Sequence, residues 1–126
     1  MTIDKPSRGL FLLLLAIILY LTLMPAPPHV PLDDLPMGDK IEHALAFATL
    51  MLAARLGFPG VSGWRWLEHL SFLGALIEVA QSGVGRDCDW RDWVADTAGA
   101  LAMLLAIRVV ARLRAPKSPS EPVTLH

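Results

Sequence analysis

Cysteine is nearly missing: Cys88 is the only one in 126 residues, so no disulfide can close within the chain and a disulfide-stapled scaffold is excluded. Cys88 is left with two roles, an intermolecular disulfide or a small unpaired loop residue. Charge is scarce too, at 18% of residues against 54% hydrophobic ones. A soluble domain of this size cannot bury that much apolar surface, and the balance points to an integral membrane protein. Several catalytic signatures are absent: no Gly-x-Ser-x-Gly elbow, no His-Glu-x-x-His pair, no Walker loop and no Cys-His pair placed for nucleophilic work. Their absence weakens a catalytic reading. Nor do the basic residues form a folded basic surface, since they cluster beside apolar segments, which argues against nucleic-acid binding.

What the chain does have is length without charge. Gly9 to Met24 (GLFLLLLAIILYLTLM) carries only Tyr20 and Thr22 as polar side chains, close to the lower limit of a bilayer span, and Pro25 stops the helix. Lys5 and Arg8 ahead of it resemble the basic region of a signal peptide, but Met24-Pro25-Ala26 lacks the pair of small residues that cleavage needs. After the proline-rich PAPPHVP stretch come three further apolar segments, Asp39 to Leu56, Trp64 to Val84 and Asp92 to Val110. Phe58-Pro59-Gly60 separates the first two, and Ser82-Gly83 with Gly85 the last two. Short connections make sequence neighbours antiparallel, so the expected fold is an all-α bundle of four transmembrane helices in one domain, residues 1–115. The polar, proline-containing stretch 116–126 is expected to be a disordered cytoplasmic tail.

Charge asymmetry sets an expected orientation. With the N-terminus inside, Lys5, Arg8, Arg55, Arg65, Arg108, Arg112, Arg114 and Lys117 are cytoplasmic, and Lys40, Arg86 and Arg91 fall outside. Both termini are therefore placed in the cytoplasm. Trp64 and Trp66 then lie at the inner boundary and Trp90 and Trp93 at the outer one, where indole rings prefer to sit. The same arrangement puts Asp33, Asp34, Asp39, Glu42, Glu78, Asp87, Asp89, Asp92 and Asp96 at or near the outer face.

Helical spacing gathers these acids into stripes. Asp39, His43 and Phe47 share a face, as do Glu78 and Gln81, and Asp92, Asp96 and Gly99 follow an i, i+4, i+7 pattern. Because unsatisfied charge is costly in lipid, the stripes should turn toward one another and wall a polar pocket just below the outer surface. Plainer roles compete. Asp39 caps its helix or complements the dipole at its start, Lys40 snorkels, Asp89 and Asp92 form a capping box, and Gly99 with Ala95, Ala98 and Ala102 makes a close-packing face. His43 and Glu78, deeper in the stripes, are harder to explain that way. Glu78 must be protonated or paired, with His43, Arg86 and Arg91 as candidate partners.

Asp-Lys-x-x-His at Asp39 to His43, Glu-x-x-Gln at Glu78 to Gln81, Arg86, and Asp-Trp-Val-Ala-Asp-Thr-Ala-Gly at Asp92 to Gly99 resemble the VanZ-like family of small bacterial membrane proteins. The resemblance spans about residues 39–106, and departs from the family's usual asparagine at Asp96. It implies a multi-pass protein of the inner membrane; glycopeptide antibiotic resistance belongs to few members.

Three functions fit the residues. In the first, the pocket binds the head group of a membrane lipid or lipid-linked envelope precursor: Arg86 and Arg91 engage phosphate, while Asp39, Lys40, Gln81 and Asp96 complete the binding set. In the second, a small intramembrane enzyme acts on such a lipid, with His43 as acid or base oriented by Glu78 or Asp92. In the third, the chain is an accessory subunit or a homo-oligomer whose polar layer pairs with another membrane protein. His43, Glu78, Asp92 and Asp96 offer nitrogen and oxygen donors, but nothing in their spacing demands a metal, and no cofactor is implied.

Overall fold

A computed structural model describes residues 4–24, 37–85 and 89–115. They form four α-helices: α1 (Asp4–Leu23), α2 (Gly38–Gly57), α3 (Gly63–Gly83) and α4 (Trp90–Arg114). The all-α expectation is met, with ends that differ from the apolar segments by a few residues, in α3 and α4 because polar caps and not hydrophobicity set where the helix starts. The stretch 116–126, Cys88, Asp33, Asp34, Arg86 and Asp87 lie outside the described residues.

Local chemistry accounts for these ends. Pro6 falls in the first turn of α1, where its missing N–H has no helical partner to lose. Ser62 caps α3, its hydroxyl accepting from the Arg65 N–H at 3.2 Å, and Asp89 caps α4, its carboxylate accepting from the Arg91 N–H at 2.9 Å. At the start of α2 stands Met37, with a left-handed φ of 61° and no side-chain cap. Asp39 therefore does not cap α2. It sits in the first turn as a charge complementary to the dipole, and its carboxylate turns to Lys40. The last turn of α2 gives its Gly57 carbonyl to the Arg8 Nε–H at 2.7 Å.

Packing follows from one close approach. α4 lies most extensively against α2, while α1 packs on α2 and α3 on α4. At the α2–α4 crossing Gly99 meets Ala44 so closely that a Cβ on Gly99 would overlap the Ala44 backbone. The short loops make neighbours in sequence antiparallel, yet the tightest pair is the parallel one, α2 with α4. Phe47, Leu50, Met51 and Ala54 of α2 interlock there with Ala100 and Leu104 of α4, and Leu70 and Ile77 of α3 close the core.

The two ends of the bundle differ in kind. At one end Phe11, Phe58 and Trp66 stack with ring centroids 5.1–5.7 Å apart, with Arg8 4.9 Å over the Phe58 ring and Arg108 5.2 Å over Trp64. The other end collects most of the acids, Asp39, Glu42, Glu78, Asp89, Asp92 and Asp96. Along the sides, large apolar residues such as Leu12, Leu13, Leu45, Phe72, Val79 and Leu105 are exposed. Helices α1 (from Lys5) and α4 are long and apolar enough to cross a membrane.

Candidate functional site

The N-terminal turns of α2 and α4 and the last turns of α3 meet at the acidic end and present their polar stripes to one another. An outer tier is organised by Lys40. Its ammonium donates to Asp39 at 2.8 Å and Asp89 at 2.9 Å, and more closely to Asp92. One cation from α2 is thus shared between a carboxylate of its own helix and two from the start of α4, which fixes the two helix ends together.

An inner tier lies one turn deeper. His43 Nδ1 is 2.7 Å from Asp96 Oδ1, and its Nε2 is 3.7 Å from Asp92 Oδ2. With Asp96 ionised, Nδ1–H is the donor, and the carboxylate sets the plane of the ring. Asp96 is wholly buried because Gly74 of α3 leaves room for it: a Cβ on Gly74 would stand 2.9 Å from Asp96 Oδ2. Glu78 reaches in from α3, its Oε2 accepting the Asp89 N–H at 3.1 Å.

That last bond corrects the capping-box expectation. Asp89 does cap α4, but the reciprocal arm is supplied by Glu78 of another helix, which frees Asp92 for Lys40 and His43. Glu78 in turn meets a backbone N–H, with its partner on neither His43 nor Arg91. Asp89 belongs to the site for a reason the sequence reading assigned to capping alone: its carboxylate also pairs with Lys40. The signal was available, since Asp89, Asp92 and Asp96 are spaced i, i+3, i+7. Lys40, helped by the Arg91 N–H, holds the Asp89 carboxyl below the usual aspartate range. Its pairing is therefore present above about pH 4 and is lost as the pH falls through the lowered value.

The remaining residues are less central. Gln81 is buried, but its Nε2 donates to the Thr22 carbonyl at 2.9 Å and ties α3 to the end of α1. Arg91 is exposed, its guanidinium 5.9 Å from the Trp90 ring. Trp93 sends its Nε1–H to the Ser71 carbonyl at 2.9 Å, and the Ser71 and Thr97 hydroxyls bond at 2.9 Å, so these side chains position α4 on α3. Of the residues singled out from sequence, Asp39, Lys40, His43, Glu78, Asp92 and Asp96 come together; Gln81 and Arg91 flank them.

Two features of the inner tier bear on chemistry. Asp96 and Glu78 are 0% and 4% exposed, yet Asp96 Oδ2 and Glu78 Oε1 have no hydrogen-bond partner among the described residues. One donor atom from each of His43, Glu78 and Asp96 lies within 4.8 Å of the others. Comparison of the chain with protein-family models, curated proteins and solved structures returns no match.

Proposed function

We propose that the chain is a VanZ-like, multi-pass protein of the bacterial inner membrane, with all four helices spanning and both termini cytoplasmic. In this reading the acidic end faces outward and binds the head group of a lipid or lipid-linked envelope component. The observation that carries the proposal is the burial of Glu78 and Asp96, each with an unpartnered oxygen, at one end of a bundle whose sides are apolar on all four helices. Buried polar groups left without a partner are what a ligand completes, whereas a purely structural lock would pair them.

Dimensions and charge support the membrane setting. The helices have 20, 20, 21 and 25 residues, and at 1.5 Å per residue even the shorter ones reach about 30 Å, the thickness of the hydrocarbon core. The polar stripes of α2, α3 and α4 turn toward one another, away from lipid. Arg8, Arg55, Arg65, Arg108, Arg112 and Arg114 all belong to the end opposite the acidic cluster, as expected of an inward-facing basic end.

The head group is read from the donors present. Carboxylates in excess over Lys40 suit amine and hydroxyl groups, and Arg91 at the rim, with Arg86 beside it in sequence, suits phosphate. The 2.7 Å His43–Asp96 pair supports a second reading, proton transfer to a bound lipid by His43, with Asp96 as the orienting carboxylate in place of Glu78 or Asp92.

Native mass spectrometry of the protein in mild detergent tests the proposal. Wild type should retain a discrete lipid mass that falls at least about tenfold in Arg91→Ala, the loss of one charge-assisted contact. A retained mass that changes chemically on incubation favours the enzyme reading. Only detergent and bulk lipid on wild type would contradict head-group binding and favour an accessory subunit. A link to glycopeptide resistance requires that the retained lipid be a cell-wall precursor and that expression of the chain lower teicoplanin susceptibility.

A further inference from the structure

The two tiers of the acidic end are balanced differently. In the outer tier Asp39, Asp89 and Asp92 share the Lys40 ammonium. In the inner tier, among the described residues, Glu78 and Asp96 form no ion pair with lysine or arginine, and their only charged-group partner is the His43 ring on Asp96. Each buries a carboxylate with one oxygen bare, Asp96 Oδ2 and Glu78 Oε1. An ionised carboxylate taken from water without a full set of partners is costly unless a cation stands beside it.

We propose that His43, Glu78 and Asp96 bind a divalent transition-metal ion of the zinc class. One ring nitrogen and one oxygen from each carboxylate already lie within 4.8 Å of one another, on three different helices. Around a tetrahedral ion with bonds of about 2.0–2.2 Å, donor atoms stand about 3.4 Å apart, so small side-chain rotations bring the three into place. The ion replaces the proton shared by His43 and Asp96 and neutralises both carboxylates.

The donor set also selects the metal. An imidazole nitrogen disfavours calcium and magnesium, which take oxygen ligands, and the absence of thiolate among these donors disfavours copper(I). Three protein donors leave a fourth position for water or a ligand oxygen. The surroundings hold the donors in place: the Asp89 N–H takes Glu78 Oε2 and leaves Oε1 for the ion, Gly74 admits Asp96, and Asp92 lies 3.7 Å behind His43 Nε2. Metal binding does not depend on the head-group reading, since it is measured without added lipid.

The test is zinc chloride titration of the full chain in mild detergent after chelator treatment, followed by calorimetry and elemental analysis. Wild type should take one zinc per chain and melt at a higher temperature with it. Glu78→Gln and Asp96→Asn should each weaken binding by about 100-fold or more, a loss at least as large as that from removing an outer-shell partner. Without metal, both variants should melt no lower than wild type, because each keeps its hydrogen-bonding shape and sheds a buried charge. His69→Ala, at an exposed position outside the cluster, should leave the affinity unchanged. Failure of wild type to take stoichiometric zinc would overturn the proposal. Unaltered affinity in both carboxylate variants would also overturn it and assign the ion to histidines elsewhere.

Discussion

Glu78→Gln and His43→Ala will remove the retained lipid from the purified protein while leaving its amount in the membrane near wild type. The glutamine keeps an oxygen for the Asp89 N–H, so the bond that ties α3 to the start of α4 survives. What it loses is the charge of a carboxylate whose second oxygen is bare. His43→Ala removes the ring that Asp96 orients but leaves the Lys40 bonds to Asp39, Asp89 and Asp92, so the two helix ends remain joined. Neutralising an incompletely paired buried carboxylate, as Glu78→Gln does, should cost little, whereas a pair that serves as a structural lock costs about 3–5 kcal/mol when one partner is removed, and His43→Ala reads which of the two the His43–Asp96 pair is. Retained lipid, membrane abundance and melting temperature together decide the point. Loss of lipid with stability kept is the predicted outcome, and variants that fail to accumulate or melt far lower would make the cluster a structural lock.

Gly99→Ala will be the most damaging single-methyl substitution in the bundle. Its Cβ would overlap the carbonyl, the carbonyl carbon and the Cα of Ala44, all backbone atoms that cannot rotate away. The tightest pair of helices must then separate, which also draws His43 on α2 from Asp96 on α4. Overpacking of this kind costs about 3 kcal/mol at the upper end of the usual range, a fall in melting temperature on the order of 10 °C. Gly83→Ala is the control, since nothing lies within 4 Å of a Cβ there and the exchange should be neutral or slightly stabilising. Equal melting temperatures for the two variants would refute the close α2–α4 contact.

The four helices could be read from the sequence because breakers and apolar runs alternate plainly, and the stripes could be read because helical periodicity places i, i+4 and i+7 together. Partners were harder to see. That Asp89 faces Glu78 and Lys40 depends on the close approach of α2 to α4, which rests on Gly99 against Ala44, and pattern alone does not pair one helix with another. Asp39 looked like a cap because acids favour helix starts, but Met37 takes the left-handed turn and Lys40 claims the carboxylate. Gln81 looked like a site residue from its spacing to Glu78. Its amide instead reaches the end of α1, a contact that depends on where α1 lies. The proposed metal donors were visible as residue types; only the structure shows them converging from three helices to within 4.8 Å of one another.

The central claim is that the acidic end of a membrane bundle faces outward, and labelling of cysteine tests it most directly. Cys88, the only cysteine in the sequence, lies in sequence between α3 and α4, and Asp33→Cys in a Cys88→Ser background supplies a second position between α1 and α2. A membrane-impermeant maleimide should label both in intact spheroplasts. Labelling of both only after lysis would contradict the outward-facing site.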